Sequence, residues 1–218
     1  LTNVDYCEDN KKVCQAINVE GLNRLISFSN INAKIIHISS DYVFDGLKGS
    51  YDENDMTHPI NYYGKSKLES ENILIGSNRE YIIFRASMLF DNNNNNNFFT
   101  WTLNNLKKNK KMKVATDIFS NPTWIPSFSN IIMKSIYLNL SGVFHYGSDR
   151  LISRFDFAQL IANQFNYSEE LIVPVISESI NFRAKRPKNT GLISDKISEC
   201  IDENIENIDY ILKIVNQA

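Results

Sequence analysis

Apolar positions along the chain follow two periods. Over residues 10–29, Val13, Ala16, Ile17, Leu22, Leu25 and Ile26 recur at helical spacing and predict one amphipathic helix. Ala33–Ser39 (AKIIHIS) and Glu80–Arg85 (EYIIFR) are short apolar runs, the pattern of strands buried on both faces. Between them, residues 40–61 carry Gly46, Gly49 and Pro59 and predict a loop. Residues 62–76 predict a helix capped by Asn61 and stopped at Gly76. Further helices are expected over residues 98–109, from a cap at Ser153 to Asn166, and from Ile205 to Val215, with strands at Met112–Ala115 and Val143–Tyr146. Strands alternating with helices predict an α/β fold on a parallel sheet covered on both faces. The run Asn92–Asn97 reads as a loop, or as a lid over a site.

Composition narrows the class. The 218 residues are 43% hydrophobic and 22% charged, the balance of a soluble globular protein with one large domain or a domain plus a smaller lobe. A net charge of −2 argues against a polyanion partner, so no nucleic acid is expected. No apolar run reaches the length of a membrane span and no signal peptide is evident. Cys7, Cys14 and Cys200 form neither a disulfide framework nor a zinc set, and His37, His58 and His145 lack metal-ligand spacing. No metal is expected, and a reducing, cytoplasmic location is. The lysines from Lys107 to Lys113 read as a solvated helix end. The chain begins at Leu1 rather than Met and runs directly into a helix, and is expected to be part of a longer protein.

Candidate chemistry lies in the first third. Tyr63 and Lys67 stand at i and i+4 on the predicted helix and share one face. An ammonium beside a phenol favours the phenolate, which would make Tyr63 a proton donor and acceptor near neutral pH. The same spacing leaves a second reading open, in which Lys67 pairs with Glu71 at i+4. Ser39-Ser40-Asp41 directly follows a predicted buried strand, and ligands of parallel sheets bind at the carboxyl ends of strands. A hydroxyl there can bond a substrate carbonyl while Tyr63 delivers the proton. Arg183, Lys185, Arg186 and Lys188 form a basic cluster, and Arg183 or Arg186 is the candidate for a nucleotide diphosphate.

Taken together, Ser39-Ser40-Asp-Tyr-Val-Phe-Asp-Gly46, Tyr51-x-Glu53-x-Asp55 and Pro59-x-Asn61-x-Tyr63-Gly-Lys-Ser-Lys67-Leu-x-x-Glu71 resemble the extended short-chain dehydrogenases/reductases, most closely their dTDP-4-dehydrorhamnose reductase branch. Val4-Asp5-x-Cys7-Glu8, Asn18-x-x-Gly21, Arg85-Ala-Ser87, Asp117-x-Phe-x-x-Pro122-Thr123 and Arg186-Pro187-x-Asn189 extend the likeness to about residue 200. The resemblance implies a Rossmann-like parallel sheet with a small C-terminal α/β substrate lobe, divided softly into residues 1–116 and 117–218. It implies reduction of a 4-keto sugar nucleotide with NADPH or NADH, with a homodimer as the expected assembly. Ser40 takes the place of the catalytic Ser/Thr, Tyr63 of the general acid and Lys67 of the cofactor-ribose contact. Thr2 falls where the family touches the cofactor, and Ser40 and Asp41 where it touches the sugar. Met88 stands where rhamnose-forming members often carry a sugar-contacting Trp. The family's glycine-rich turn is not found among the eight glycines. About two β-α units, roughly 60 residues, are expected ahead of Leu1, and without them the dinucleotide should bind poorly. Two alternatives share the pattern: a nucleotide-sugar epimerase or dehydratase, and a regulatory chain resembling the beta subunit of methionine adenosyltransferase.

Overall fold

A computed structural model of the chain describes residues 1–93 and 97–217. The asparagine run expected as loop or lid falls in part, at residues 94–96, outside the described residues. Helices α1 (Val4–Asp9) and α2 (Lys11–Cys14), a π-helical turn (Gln15–Glu20) and α3 (Gly21–Phe28) lead into β1 (Ile35–Ser40). After a 3₁₀ turn at Asp41–Val43 and a loop come α4 (Tyr62–Ile75), β2 (Tyr81–Ala86), β3 (Leu89–Phe90), α5 (Phe98–Lys107) and β4 (Met112–Ala115). The second half runs through β5 (Phe119–Ser120), β6 (Thr123–Trp124), α6 (Ile125–Tyr137), β7 (Gly142–Tyr146), β8 (Ile152–Ser153), α7 (Arg154–Gln164), β9 (Ile172–Val175), α8 (Asp195–Ile201) and α9 (Ile208–Gln217).

The main sheet has the order β1-β2-β7 and is parallel throughout, as the alternating pattern predicted. Ser40, Ala86 and Tyr146 lie in register at its carboxyl edge. One face packs Phe84 and Phe144 against Phe128 of α6 and Ile197 of α8, while Ile83 packs with Leu74 of α4 on the other. A second core gathers Phe90, Phe99, Phe157, Ile161, Ile208 and Leu212 around the parallel pair β4–β9. The two halves interleave: β4 precedes residue 117 yet pairs with β9, while β7 follows it and completes the main sheet.

Three expectations need correction. Strand β1 is half-buried through Ile36, His37 and Ile38 rather than covered on both faces, because among the described residues it pairs with β2 alone. The helix expected over 10–29 starts after Asn10 (φ −126°, ψ 56°), which separates it from α1, and stays helical to Phe28, but it passes through the π turn instead of keeping one α period. That turn brings Asn18 and Val19 inward, where Asn18 Nδ2 donates to Ser66 Oγ of α4 at 3.0 Å. Val13, Ile17 and Leu25 are left on the surface while Leu22 and Ile26 pack inward, so the apolar positions do not form one buried stripe. Helix α6 was not anticipated. Pro126 lies in its first turn, where a missing N–H is harmless, although the same residue in a sequence reads as punctuation.

His145 of β7 is fully buried and ties the sheet to the loop before α4. Its backbone N–H donates to Glu53 Oε1 at 2.8 Å, and its Nδ1 faces the Tyr51 carbonyl at 3.0 Å. Burial, helped by the Arg85 guanidinium, pushes the ring's pKa down to about 3. A group whose folded pKa lies below its unfolded value, about 6.5, binds its proton more readily in the unfolded chain. Its contribution to stability is therefore complete above about pH 6.5 and is lost as the pH falls toward 3. Urea midpoints measured between pH 7 and pH 4 should fall with a slope that His145→Gln reduces. Equal slopes in the two proteins would contradict the assignment.

Candidate active site

Ser40 is the last residue of β1 and the N-cap of the 3₁₀ turn that follows. Its Oγ accepts the Tyr42 N–H at 3.2 Å and donates to Asp41 Oδ1 at 2.9 Å. The sharp exit from the strand holds the hydroxyl at the sheet edge.

Helix α4 delivers Tyr63 to the same place. Asn61 caps it, accepting the Gly64 N–H at 2.8 Å, and anchors it to the C-terminal segment through a bond from Nδ2 to the Lys185 carbonyl at 2.9 Å. Gly64 lets the helix press on the 3₁₀ turn: a Cβ there would stand 2.1 Å from the Tyr42 carbonyl oxygen. The Tyr63 ring meets Tyr42 edge-on at 5.9 Å, and its hydroxyl is hydrogen-bonded to Ser40. Burial pushes the Tyr63 phenol well above its usual value, with the Ser40 bond pulling the other way. Here the structure departs from the expected charge logic, because desolvation outweighs any help from Lys67 and the phenol is held neutral as a proton donor.

Lys67 lies one turn on, as its spacing required, but its Nζ donates to the Ile38 carbonyl at 2.6 Å. Burial lowers its pKa to about 8, with the charge of Glu71 pulling it back up. The alternative Lys67–Glu71 pair does not form as a contact. Glu71 instead accepts from Ser39 and from Arg85, whose Nη2 stands at 2.8 Å.

Asp41 is buried and accepts from three hydroxyls: Ser40, Ser87 at 2.9 Å, and Thr190. Burial raises its pKa while these bonds and the Arg154 charge lower it. The carboxylate thereby ties together the end of β1, the end of β2 and the C-terminal segment. Thr190 lies 149 residues from Asp41, and no spacing in the sequence links them. Ser87 was within reach of the strand-end rule, since it directly follows β2.

These groups wall a cavity of about 370 Å³. Thr2, Ser40, Asp41, Tyr63 and Met88 all line it, and Thr190 and Arg154 join them. Met88 sits there with a left-handed backbone (φ 41°), a conformation rare outside glycine and characteristic of functional sites. Two expected residues lie elsewhere. Lys67 stands behind the wall on the Ile38 carbonyl. Arg186 is engaged by Asp5 at 2.9 Å and lies over the Phe182 ring, lining a neighbouring groove with Arg183.

A hydroxyl at the tip of a parallel strand, a hydrogen-bonded tyrosine on the next helix and a lysine one turn further define the class of short-chain dehydrogenases/reductases. The family model described as the RmlD substrate binding domain matches residues 1–216, and the chain belongs to that family. A dTDP-4-dehydrorhamnose reductase of Aggregatibacter actinomycetemcomitans is 31% identical over 212 residues, covering 91% of this chain and 71% of that protein. The crystal structure of a dTDP-4-dehydrorhamnose reductase of Bacillus anthracis in complex with NADP superposes with a TM-score of 0.92 at 28% identity, over 99% of this chain and 76% of that one. Bovine methionine adenosyltransferase 2 subunit beta is 28% identical, covering 86% of this chain and 59% of its own length.

Proposed function

We propose that this chain carries the catalytic and sugar-binding part of an NAD(P)H-dependent reductase of 4-keto sugar nucleotides, with dTDP-4-dehydrorhamnose as the substrate. The hydrogen-bonded pair Ser40–Tyr63 on the cavity wall carries the reading. Thr2, Ser40 and Tyr63 line the cavity that would take the reacting nicotinamide end of a dinucleotide, and Lys67 would hold its ribose hydroxyls on releasing the Ile38 carbonyl. When bound, the cofactor supplies the hydride.

The chain's own residues manage the oxygen. Tyr63 exchanges its bond to Ser40 for one to the keto oxygen, and Ser40 turns its hydroxyl proton from Asp41 to the same oxygen. Tyr63, neutral because it is buried, gives up its proton as negative charge develops there. Asp41 orients Ser40 before the substrate enters and holds Thr190 at the cavity wall beside the sugar. Met88 offers the sugar an apolar contact on the cavity wall. Residues 1–116 supply the catalytic groups in this reading and residues 117–218 most of the substrate lobe. A reducing, cytoplasmic location fits the free thiols of Cys7 and Cys14, the first pushed up to about 12 by burial and its contact with Cys14, and so inert.

The test is the stoichiometry of the complete protein with NADPH and dTDP-4-dehydrorhamnose. One NADPH oxidised per sugar consumed is expected. Turnover without net oxidation would place the chain among epimerases or dehydratases. No turnover, with capture of a methionine adenosyltransferase catalytic subunit, would favour the regulatory reading that the bovine relative supports.

A further inference from the structure

Four consecutive residues of β1 each bond one residue of α4. Ser40 meets Tyr63, Ser39 Oγ donates to Glu71, the Ile38 carbonyl accepts from Lys67 Nζ, and His37 Nε2 faces Ser70 Oγ at 3.1 Å. Positions 63, 67, 70 and 71 follow the i, i+4, i+7, i+8 rhythm of a single helix face. His37 and Ser39, two apart on the strand, turn their side chains to the same side. Two of these bonds, to Tyr63 and Lys67, hold residues of the proposed mechanism. The bonds to Glu71 and Ser70 have no part in it. The Lys67 ammonium lies inside this seam. Its one hydrogen bond among the described residues is to the Ile38 carbonyl, and the ion pair of Glu71 goes to Arg85 instead. A buried ammonium without a counter-charge gives up its proton more readily.

We propose that Glu71 is a positioning residue for the cofactor: it is the counter-ion that keeps Lys67 a charged ammonium, with Ser39 and Arg85 holding the carboxylate in place. For the role of Lys67 toward a ribose this rests on the reductase reading above. The groups facing Lys67 are Glu71, one turn along its own helix, the His37 ring from β1 and the Cys14 thiol from α2. The His37 ring is neutral, its pKa pushed down to about 3 by burial and by the Lys67 charge. Ser70 Oγ gives its own proton to the Lys67 carbonyl at 2.7 Å, so it accepts from His37 Nε2. Cys14 Sγ donates to Ser66 Oγ at 3.3 Å. Glu71 is thus the facing group of opposite charge. Arg85 approaches the carboxylate from β2 and reaches on to His145 of β7, and it is the carboxylate whose charge acts on Lys67. Buried charges act beyond contact because salt screens them little. An ammonium has three donors and no acceptor, which suits a pair of ribose hydroxyls, and its charge strengthens each bond. The Ile38 bond is given up when the ribose arrives, whereas the Glu71 charge stays.

Carbon NMR of the complete protein, labelled at the lysine Cε positions, reads the ammonium directly and needs no substrate. The Lys67 signal is assigned by its absence from Lys67→Met, and in the parent it should titrate near pH 8. Glu71→Gln should lower that midpoint by about one pH unit, the effect of removing a nearby opposite charge. NADPH, followed by calorimetry, should then bind about fivefold more weakly at pH 8, where such a fall leaves roughly a tenth of the lysine charged instead of half. At pH 6 its affinity should match the parent's. Because Glu71→Gln leaves the Arg85 charge uncompensated, Glu71→Leu/Arg85→Met is the second variant. It leaves neither charge buried yet still lacks the counter-ion, so it should show the same low midpoint and the same weakness at pH 8. A mere brace would be restored there. An unmoved Lys67 midpoint, or unaltered NADPH binding at pH 8, in either folded variant would overturn the proposal. The outcome is separable from the proposed activity. A protein in which Glu71 sets the Lys67 midpoint but which reduces no keto sugar sinks the reductase reading and leaves this one standing. An active reductase with an unmoved midpoint does the reverse.

Discussion

Tyr63→Phe should lower kcat by about 10²- to 10⁴-fold, the usual contribution of a positioned general acid, while NADPH affinity changes little. The ring makes its edge-on contact with Tyr42 through carbon, so phenylalanine keeps the packing and removes only the hydroxyl bonded to Ser40. In its absence the keto oxygen has Ser40 as a hydrogen-bond partner but no acid to complete the reduction. Because burial raises the phenol's pKa, Tyr63 is protonated across the neutral range, and the parent enzyme's rate should show no loss of acid near pH 7. Steady-state NADPH oxidation and a cofactor titration on the same preparation would separate the two effects. Wild-type-like kcat in Tyr63→Phe would remove the residue from the mechanism, and loss of NADPH binding alone would recast it as a cofactor contact.

Arg85→Met should destabilise the fold by about 3–5 kcal/mol, the range for breaking one side of a buried ion pair. Glu71 is fully buried, and Arg85 supplies three of its contacts, from Nε to both carboxylate oxygens and from Nη2. Removing the guanidinium leaves that carboxylate with the Ser39 hydroxyl alone. The Arg85 side chain also lies 5.3 Å over the Phe44 ring and reaches His145, so the pair braces β1, β2 and β7 behind the catalytic edge. The double variant Glu71→Leu/Arg85→Met should recover most of the loss, because apolar groups of similar volume leave no charge buried. Urea unfolding of the four proteins in the cycle is the measurement. A double variant less stable than either single one would show that the pair stabilises the sheet beyond balancing its own burial.

Much of the site was legible because it is local. Ser40 follows an apolar run and Tyr63 and Lys67 keep a one-turn spacing, so strand-end and helix-face rules were enough to bring hydroxyl and phenol to one edge. The Asn61 and Ser153 caps could be read for the same reason, since a cap bonds only two or three residues away. The Arg186 expectation illustrates the opposite case. Charge composition marked a cluster of bases, but only packing shows that Arg186 is taken up by Asp5, 181 residues away in sequence.

The sequence alone determined the parallel α/β order, the strand-tip serine and the tyrosine helix, because periodicity and capping act within a few residues. Tertiary structure alone decided the charge states and the neighbours: that Tyr63 is neutral, that Lys67 rests on the Ile38 carbonyl, that Asp41 gathers Thr190 from the far end of the chain, and that the Arg154 charge acts on Asp41 and Tyr42 at the cavity. Desolvation and long-range pairing depend on which atoms exclude water from which, and that is settled only when distant segments pack.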